Sequence, residues 1–76
     1  MKQVNYNFIT ITQNGDGDPE HPSYDIKHAK SGELLGSIEY YPKWRKYNLY
    51  PENGTGFDRE CLSNICHFLT THAGKP

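Results

Sequence analysis

The sequence GELLGSIEYYPKWRKYNLYP, residues 32–51, contains two strand-like runs and the tight turn between them. It also carries half of the aromatic residues of the chain and its densest group of positive charges. Within eleven positions lie Tyr40, Tyr41, Trp44, Tyr47 and Tyr50, and among them lie Lys43, Arg45 and Lys46. We expect this segment to supply both part of the core and the surface that contacts a partner.

The turn is predicted at Tyr41-Pro42-Lys43-Trp44, because proline at the second position of a turn already has the required φ. One strand, residues 33–41, precedes it, and another, residues 44–50, follows it. Alternation in the second strand separates two faces. One face carries Trp44, Lys46, Asn48 and Tyr50, and the other carries Arg45, Tyr47 and Leu49.

Two further strands are predicted upstream. Residues 3–13, QVNYNFITITQ, alternate at period two, with either side able to face the core. Residues 14–22, NGDGDPEHP, predict a mobile acidic loop, because glycine, aspartate and proline favour turns. Proline also lacks the N–H that would donate a hydrogen bond to a neighbouring strand. Residues 23–30, SYDIKHAK, alternate again and predict the second strand.

A helix is predicted from residue 57 or 58 to residue 72. Asp58 is a favourable N-cap residue, and Gly74 is a suitable stop. At 100° per residue, the apolar side chains occupy about half of the circumference. They are Phe57, Cys61, Leu62, Ile65, Cys66, Phe68 and Leu69.

This order of elements predicts a single α+β domain over residues 1–76, a four-stranded antiparallel meander with one C-terminal helix packed on one face. One helix covers only one side of the sheet, so the other face stays open. We predict that Tyr47 and Leu49 point toward the helix. A register slip of one residue would reverse this assignment.

Size and charge exclude several classes of protein. The chain has 76 residues and a formal net charge of −1, whereas proteins that coat duplex nucleic acid are usually strongly basic. The first residues, MKQVNYNFITI, do not resemble a signal peptide, and no apolar run is long enough to span a bilayer, so we expect a cytoplasmic protein. Cys61 and Cys66 are expected to be buried free thiols.

No catalytic or metal motif is found in the sequence, so we expect neither an enzyme nor a bound metal or cofactor. The acidic segment is only weakly similar to a calcium loop, because positions six and twelve, counted from Asp16, are His21 and Lys27. Asp25, His28 and Glu39 could meet on neighbouring strands, but three polar residues on a small sheet are typical of an ordinary surface.

The open face is the predicted binding surface, and three interpretations of it remain. Large aromatic and cationic side chains make anchors for a protein partner. The same rings could stack on the bases of single-stranded nucleic acid while the cations contact phosphates. The rings could also pack within the chain or in a homodimer. The acidic side chains of Asp16, Asp18 and Glu20 offer an alternative contact for a basic partner protein.

The second half of the chain resembles short, mostly uncharacterised proteins of bacteriophages and prophages. The resemblance covers residues 36–69 and is carried by Gly36, Trp44, Arg45, Tyr47, Pro51, Thr55, Phe57, Asp58, Cys61, Leu62, Ile65 and Phe68. It implies an origin in a mobile element, and it implies no activity or site residues.

Two broader likenesses concern function. The order of elements is similar to that of the single-strand-binding transcriptional coactivators, although the low net charge departs from them. In size and charge the chain resembles anti-CRISPR and other anti-defence inhibitors, which bind a surface of a host complex. We therefore expect a non-catalytic phage accessory protein that binds a host protein or complex, with single-stranded nucleic-acid binding as the alternative.

Overall fold

The computed structural model describes residues 2–73 and has the α+β architecture predicted from the sequence, except that the sheet has five strands and not four. Each strand pairs antiparallel with the next in chain order, which makes an open meander, and one helix follows. The strands are β1 (Gln3–Asn5), β2 (Ile9–Asp18), β3 (His21–His28), β4 (Leu34–Tyr41) and β5 (Lys46–Pro51), and the helix is α1 (Arg59–Thr71).

The first predicted strand, residues 3–13, is divided into β1 and β2. The chain reverses at residues 6–8, where Tyr6 N donates a hydrogen bond to Ile9 O at 2.8 Å. Val4 then pairs with Ile11 across the hairpin. Of the two possible inner faces, the structure uses the one with Ile9 and Ile11, both of which are fully buried.

The loop predicted over residues 14–22 is wrong, because β2 continues to Asp18 and β3 begins at His21. The register of β2 against β3 shifts between Gln13 and Gly17, and two glycines in this irregular region have positive φ. Pairing then resumes between Gly17 and Pro22 and between Asp18 and His21. The glycines therefore shape a distorted strand here instead of ending it.

The core lies between one face of the sheet and α1. Phe68 of the helix packs edge-on against Tyr24 of β3, with ring centroids 4.8 Å apart. The fully or almost fully buried apolar residues are Ile9, Ile11, Tyr24, Ile26, Ile38, Ile65 and Phe68. The helix therefore covers one face of the sheet, as predicted.

The buried strip of α1 is narrower than its apolar half. Ile65 and Phe68 are buried, whereas Leu62 is 49% exposed. Cys66 is exposed and Cys61 is half-buried, so the prediction of two buried thiols is wrong, although both cysteines are free. Burial raises the pKa of the Cys61 thiol.

The helix begins as the sequence predicts. Asp58 is the N-cap, and its Oδ1 accepts a hydrogen bond from Cys61 N at 2.9 Å. This hydrogen bond holds the pKa of the Asp58 carboxyl below its ordinary value. At the other end, His72 N donates to Phe68 O, and the predicted stop at Gly74 lies outside the described residues.

Candidate binding site

Two hairpin turns lie at the same end of the sheet. In a meander, alternate turns fall at one end, so the β2–β3 turn at residues 19–20 and the β4–β5 turn at residues 42–45 are neighbours. The rings of His21 and Tyr40 stack between them, with centroids 3.7 Å apart and planes 10° from parallel. We call residues 16–21 together with residues 39–46 the hairpin end.

The β4–β5 turn presents Trp44 to solvent. Trp44 N donates to Tyr41 O at 3.2 Å, which confirms the predicted turn with Pro42 at its second position. The next residue, Arg45, has a φ of 54°, so the strand begins only at Lys46. The prediction that Trp44 belongs to the strand is therefore wrong. Its side chain is 65% exposed at the tip, edge-on to Tyr41 at 5.1 Å.

The register of β5 agrees with the prediction that Tyr47 and Leu49 face the helix. Both are half-buried and pack against the core. The other three predicted residues of the open face pair with β4 across the sheet. Lys46 is opposite Tyr41, Asn48 is opposite Glu39, and Tyr50 is opposite Ser37. Lys46 and Tyr50 are exposed, and Asn48 is half-buried.

The acidic residues predicted from the sequence lie in the other hairpin, where all three are exposed. Asp18 Oδ1 accepts a hydrogen bond from His21 N at 2.9 Å and lies 3.5 Å from His21 Nδ1. The backbone N–H of Asp16 donates to Asn14 Oδ1 at 2.8 Å. Glu20 occupies the turn itself. The carboxylate of Asp18 and the backbone of Asp16 are therefore each held by a local hydrogen bond.

A cleft of about 380 Å³ lies between the two hairpins. Sequence reasoning assigned only Asp16 and Asp18 of its residues to a binding surface, because most of the others come from β3, β4 and the β4–β5 turn and meet these two only through the sheet pairing. Period-two alternation predicts the face of each strand and contains no signal for this contact between hairpins. The cleft is lined by Asp16, Gly17, Asp18, His21, Ser23, Glu39, Tyr40 and Pro42.

The charges of the hairpin end do not neutralise one another. Within residues 2–73, the cationic side chains of Lys43, Arg45 and Lys46 form no ion pair, and the one ion pair at this end joins Asp18 to His21. The cations of this end are therefore not neutralised within residues 2–73 and remain available to a partner.

The residues considered for acid–base chemistry do not converge. His28 is opposite Ile9 on the helix side of the sheet, whereas Asp25 is opposite Ser37 on the open face and bonds to Asn14 at 2.9 Å. Glu39 Oε2 accepts from the Ser37 hydroxyl at 3.1 Å. Within residues 2–73, no group of three or more histidine, cysteine, aspartate or glutamate side chains could hold a metal ion.

Tyr47 connects the core to the hairpin end, and we expect it to make stability pH-dependent in the alkaline range. Its hydroxyl donates to Pro22 O at 3.0 Å. Burial, followed by the influence of Tyr24, Asp18 and Tyr40, raises the pKa of Tyr47 to about 12 from 10.0. The unfolded chain loses this proton first, so stability should be complete below about pH 10 and should fall as the pH rises toward about 12.

Urea unfolding at a series of alkaline pH values measures this effect. Tyr47→Phe should flatten the decline, whereas Tyr50→Phe, which removes an exposed tyrosine of the same strand, is the matched control. An equal decline in the Tyr47→Phe variant and the unaltered protein would contradict the assignment.

No protein-family model, curated protein or solved structure matches this chain. The helix of the described residues, α1, has 13 residues and lacks the length and apolar character required to cross a membrane.

Proposed function

We propose that this protein is a non-catalytic accessory protein of a bacteriophage or prophage that binds a host protein or complex in the cytoplasm through the hairpin end. In this proposal it inhibits a host defence complex, as anti-CRISPR proteins do. The resemblance of residues 36–69 to short phage proteins supports the origin, and the hairpin end supports binding.

The observation that carries the proposal is the position of Trp44, which is 65% exposed at the tip of the β4–β5 turn beside cations that form no ion pair within residues 2–73. Tryptophan, tyrosine and arginine are the usual anchors of protein interfaces, because they bury a large area and order few torsions. Arg45 follows Trp44 in the turn, and the Tyr41 ring of β4 lies edge-on to it. A protein partner can supply apolar surface for Trp44 and charges of both signs around it.

Single-stranded nucleic acid fits this surface less well. Trp44 and Tyr50 could stack on bases, and Lys43, Arg45 and Lys46 could contact phosphates. The carboxylates of Asp16, Asp18 and Glu39, however, line a cleft that also contacts Pro42 of the same turn. A phosphate backbone bound at the turn would approach these negative charges, and the net charge of −1 gives no compensating attraction.

Trp44→Ala is expected to weaken binding of the partner by about 2 kcal/mol or more, roughly 30-fold, because the variant removes the central apolar anchor. The tagged protein is used to capture host proteins, and the affinity of the captured protein is then measured by calorimetry. Phe8→Ala is the matched control, since Phe8 is also an exposed aromatic residue, 48% accessible, at the opposite end of the sheet. Equal affinity of the Trp44→Ala variant and the unaltered protein would remove the hairpin end as the site.

The fluorescence of Trp44, the only tryptophan, separates the protein interpretation from the nucleic-acid interpretation. The protein is titrated with a short single-stranded oligonucleotide at several salt concentrations. We expect no saturable quenching. Quenching whose affinity falls with salt, with a log–log slope of about −1.4 to −2.1 for two or three phosphate contacts, would favour nucleic acid instead. Light scattering across a dilution series tests the third interpretation, a homodimer.

A further inference from the structure

The cleft of the hairpin end is lined by several carboxylates, and its one histidine, His21, lies 3.5 Å from Asp18. Three of its lining residues, Asp16, Asp18 and Glu39, are carboxylates, and no lysine or arginine lines it. Its volume of about 380 Å³ is in the range of pockets that hold small ligands or single side chains. A cation would therefore be attracted from several directions.

Ser23 provides a second and independent indication of a ligand. This residue is only 5% exposed, yet it lines the cleft. Its hydroxyl forms no hydrogen bond with any group in residues 2–73. The Oγ atom itself is not fully enclosed, so it is reached from the cleft although the rest of the residue is buried. The free position on Ser23 Oγ therefore suits a hydrogen-bond donor entering from the cleft.

The cleft also has a flat aromatic wall. The rings of His21 and Tyr40, both of which line the cleft, are stacked at 3.7 Å. Tyr40 is supported from behind by Tyr47, whose ring lies edge-on to it with centroids 5.5 Å apart. The wall is therefore packed in place before any ligand binds.

We propose that this cleft binds the guanidinium group of an arginine side chain presented by a protein partner. Within residues 2–73, these carboxylates do not form a cluster that could hold a metal ion. Their oxygens therefore suit a cation that donates hydrogen bonds in several directions. Guanidinium has five N–H donors in one plane and stacks on aromatic rings, whereas lysine is a compact point charge. That the arginine belongs to a host protein rests on the proposed function, but the preference of the cleft for guanidinium does not.

The experiment needs no partner, so it distinguishes failure of this proposal from failure of the proposed function. The full chain, labelled with ¹⁵N, is titrated with N-acetyl-arginine amide and observed by NMR. The amide signals of Gly17, Ser23 and Tyr40 should shift and saturate. N-acetyl-citrulline amide, which has the same shape without the charge, should cause no saturable shift, and N-acetyl-lysine amide should bind several-fold more weakly.

Two variants test the residues that carry the proposal. Ser23→Ala and Glu39→Gln should each weaken binding of the arginine probe about tenfold, the loss typical of one hydrogen bond to a charged group. Phe8→Ala, at the opposite end of the sheet, should bind it normally. The proposal is overturned if the arginine and lysine probes bind equally, if the shifts arise outside the cleft, or if both cleft variants bind like the unaltered protein.

Discussion

Replacing Phe68 with alanine is expected to destabilise the protein by about 3–5 kcal/mol, the range for large aromatic residues removed from a core. Phe68 is fully buried, and the Tyr24 ring packs against it at 4.8 Å. It and Ile65 are the buried residues of α1, so they hold the helix on the sheet. A domain of this size is stabilised by about 3–5 kcal/mol in total, so the loss is comparable to the whole stability and a large fraction of the variant should be unfolded.

Urea unfolding followed by far-ultraviolet circular dichroism measures this loss. Leu62→Ala is the matched control, because Leu62 lies on the same helix but is 49% exposed. Its stability should change by about 0.5 kcal/mol or less, as is usual for surface positions. If the Phe68→Ala variant kept most of its stability, α1 would not be packed on the sheet through this residue.

The helix was predictable because its signals are local. Asp58 offers a side-chain acceptor at the first turn, and apolar residues recur at helical spacing after it. Both features depend on residues within a few positions of each other. The width of the buried strip depends instead on which residues of the helix are buried against the sheet, and these are Ile65 and Phe68. This is why Leu62 and Cys66, both on the apolar side of the helix, are exposed.

The number of strands was not predictable from alternation. Tyr6 and Phe8 continue the period-two pattern through the β1–β2 turn, and no glycine or proline marks the reversal. The opposite error occurs at residues 14–18, where Gly15 and Gly17 indicate a loop but lie in β2. Turn-forming residues favour a break in a strand, and tertiary pairing can use the same residues for a bulge.

The candidate site was predictable in its parts and not in its geometry. A meander places the acidic and aromatic turns at one end, so their proximity follows from the strand order. The stacking of His21 on Tyr40 depends on the pairing register of β3 against β4, which no local pattern indicates. Ser23 is one of several polar residues in β3, and only the three-dimensional structure places it in the cleft.

Gly17→Ala is expected to destabilise the protein by about 2–5 kcal/mol and to deform the cleft. Gly17 has a φ of 79°, a conformation that costs an alanine about 1–2 kcal/mol. A Cβ atom there would also lie 2.7 Å from His21 O and 2.8 Å from Ser23 Oγ. Relieving such crowding typically costs another 1–3 kcal/mol, because the backbone of β3 must move.

Gly15→Ala separates the two causes, and urea unfolding of both variants measures them. Gly15 has a similar φ of 87°, but a Cβ atom on it would meet nothing within 4 Å. It should therefore show only the backbone cost of about 1–2 kcal/mol. The additional loss in Gly17→Ala then reports how closely β2 approaches Ser23 at the floor of the cleft. If the two variants were equally stable, this close approach would be absent, and the Ser23 hydroxyl would not be held where an arginine side chain could reach it.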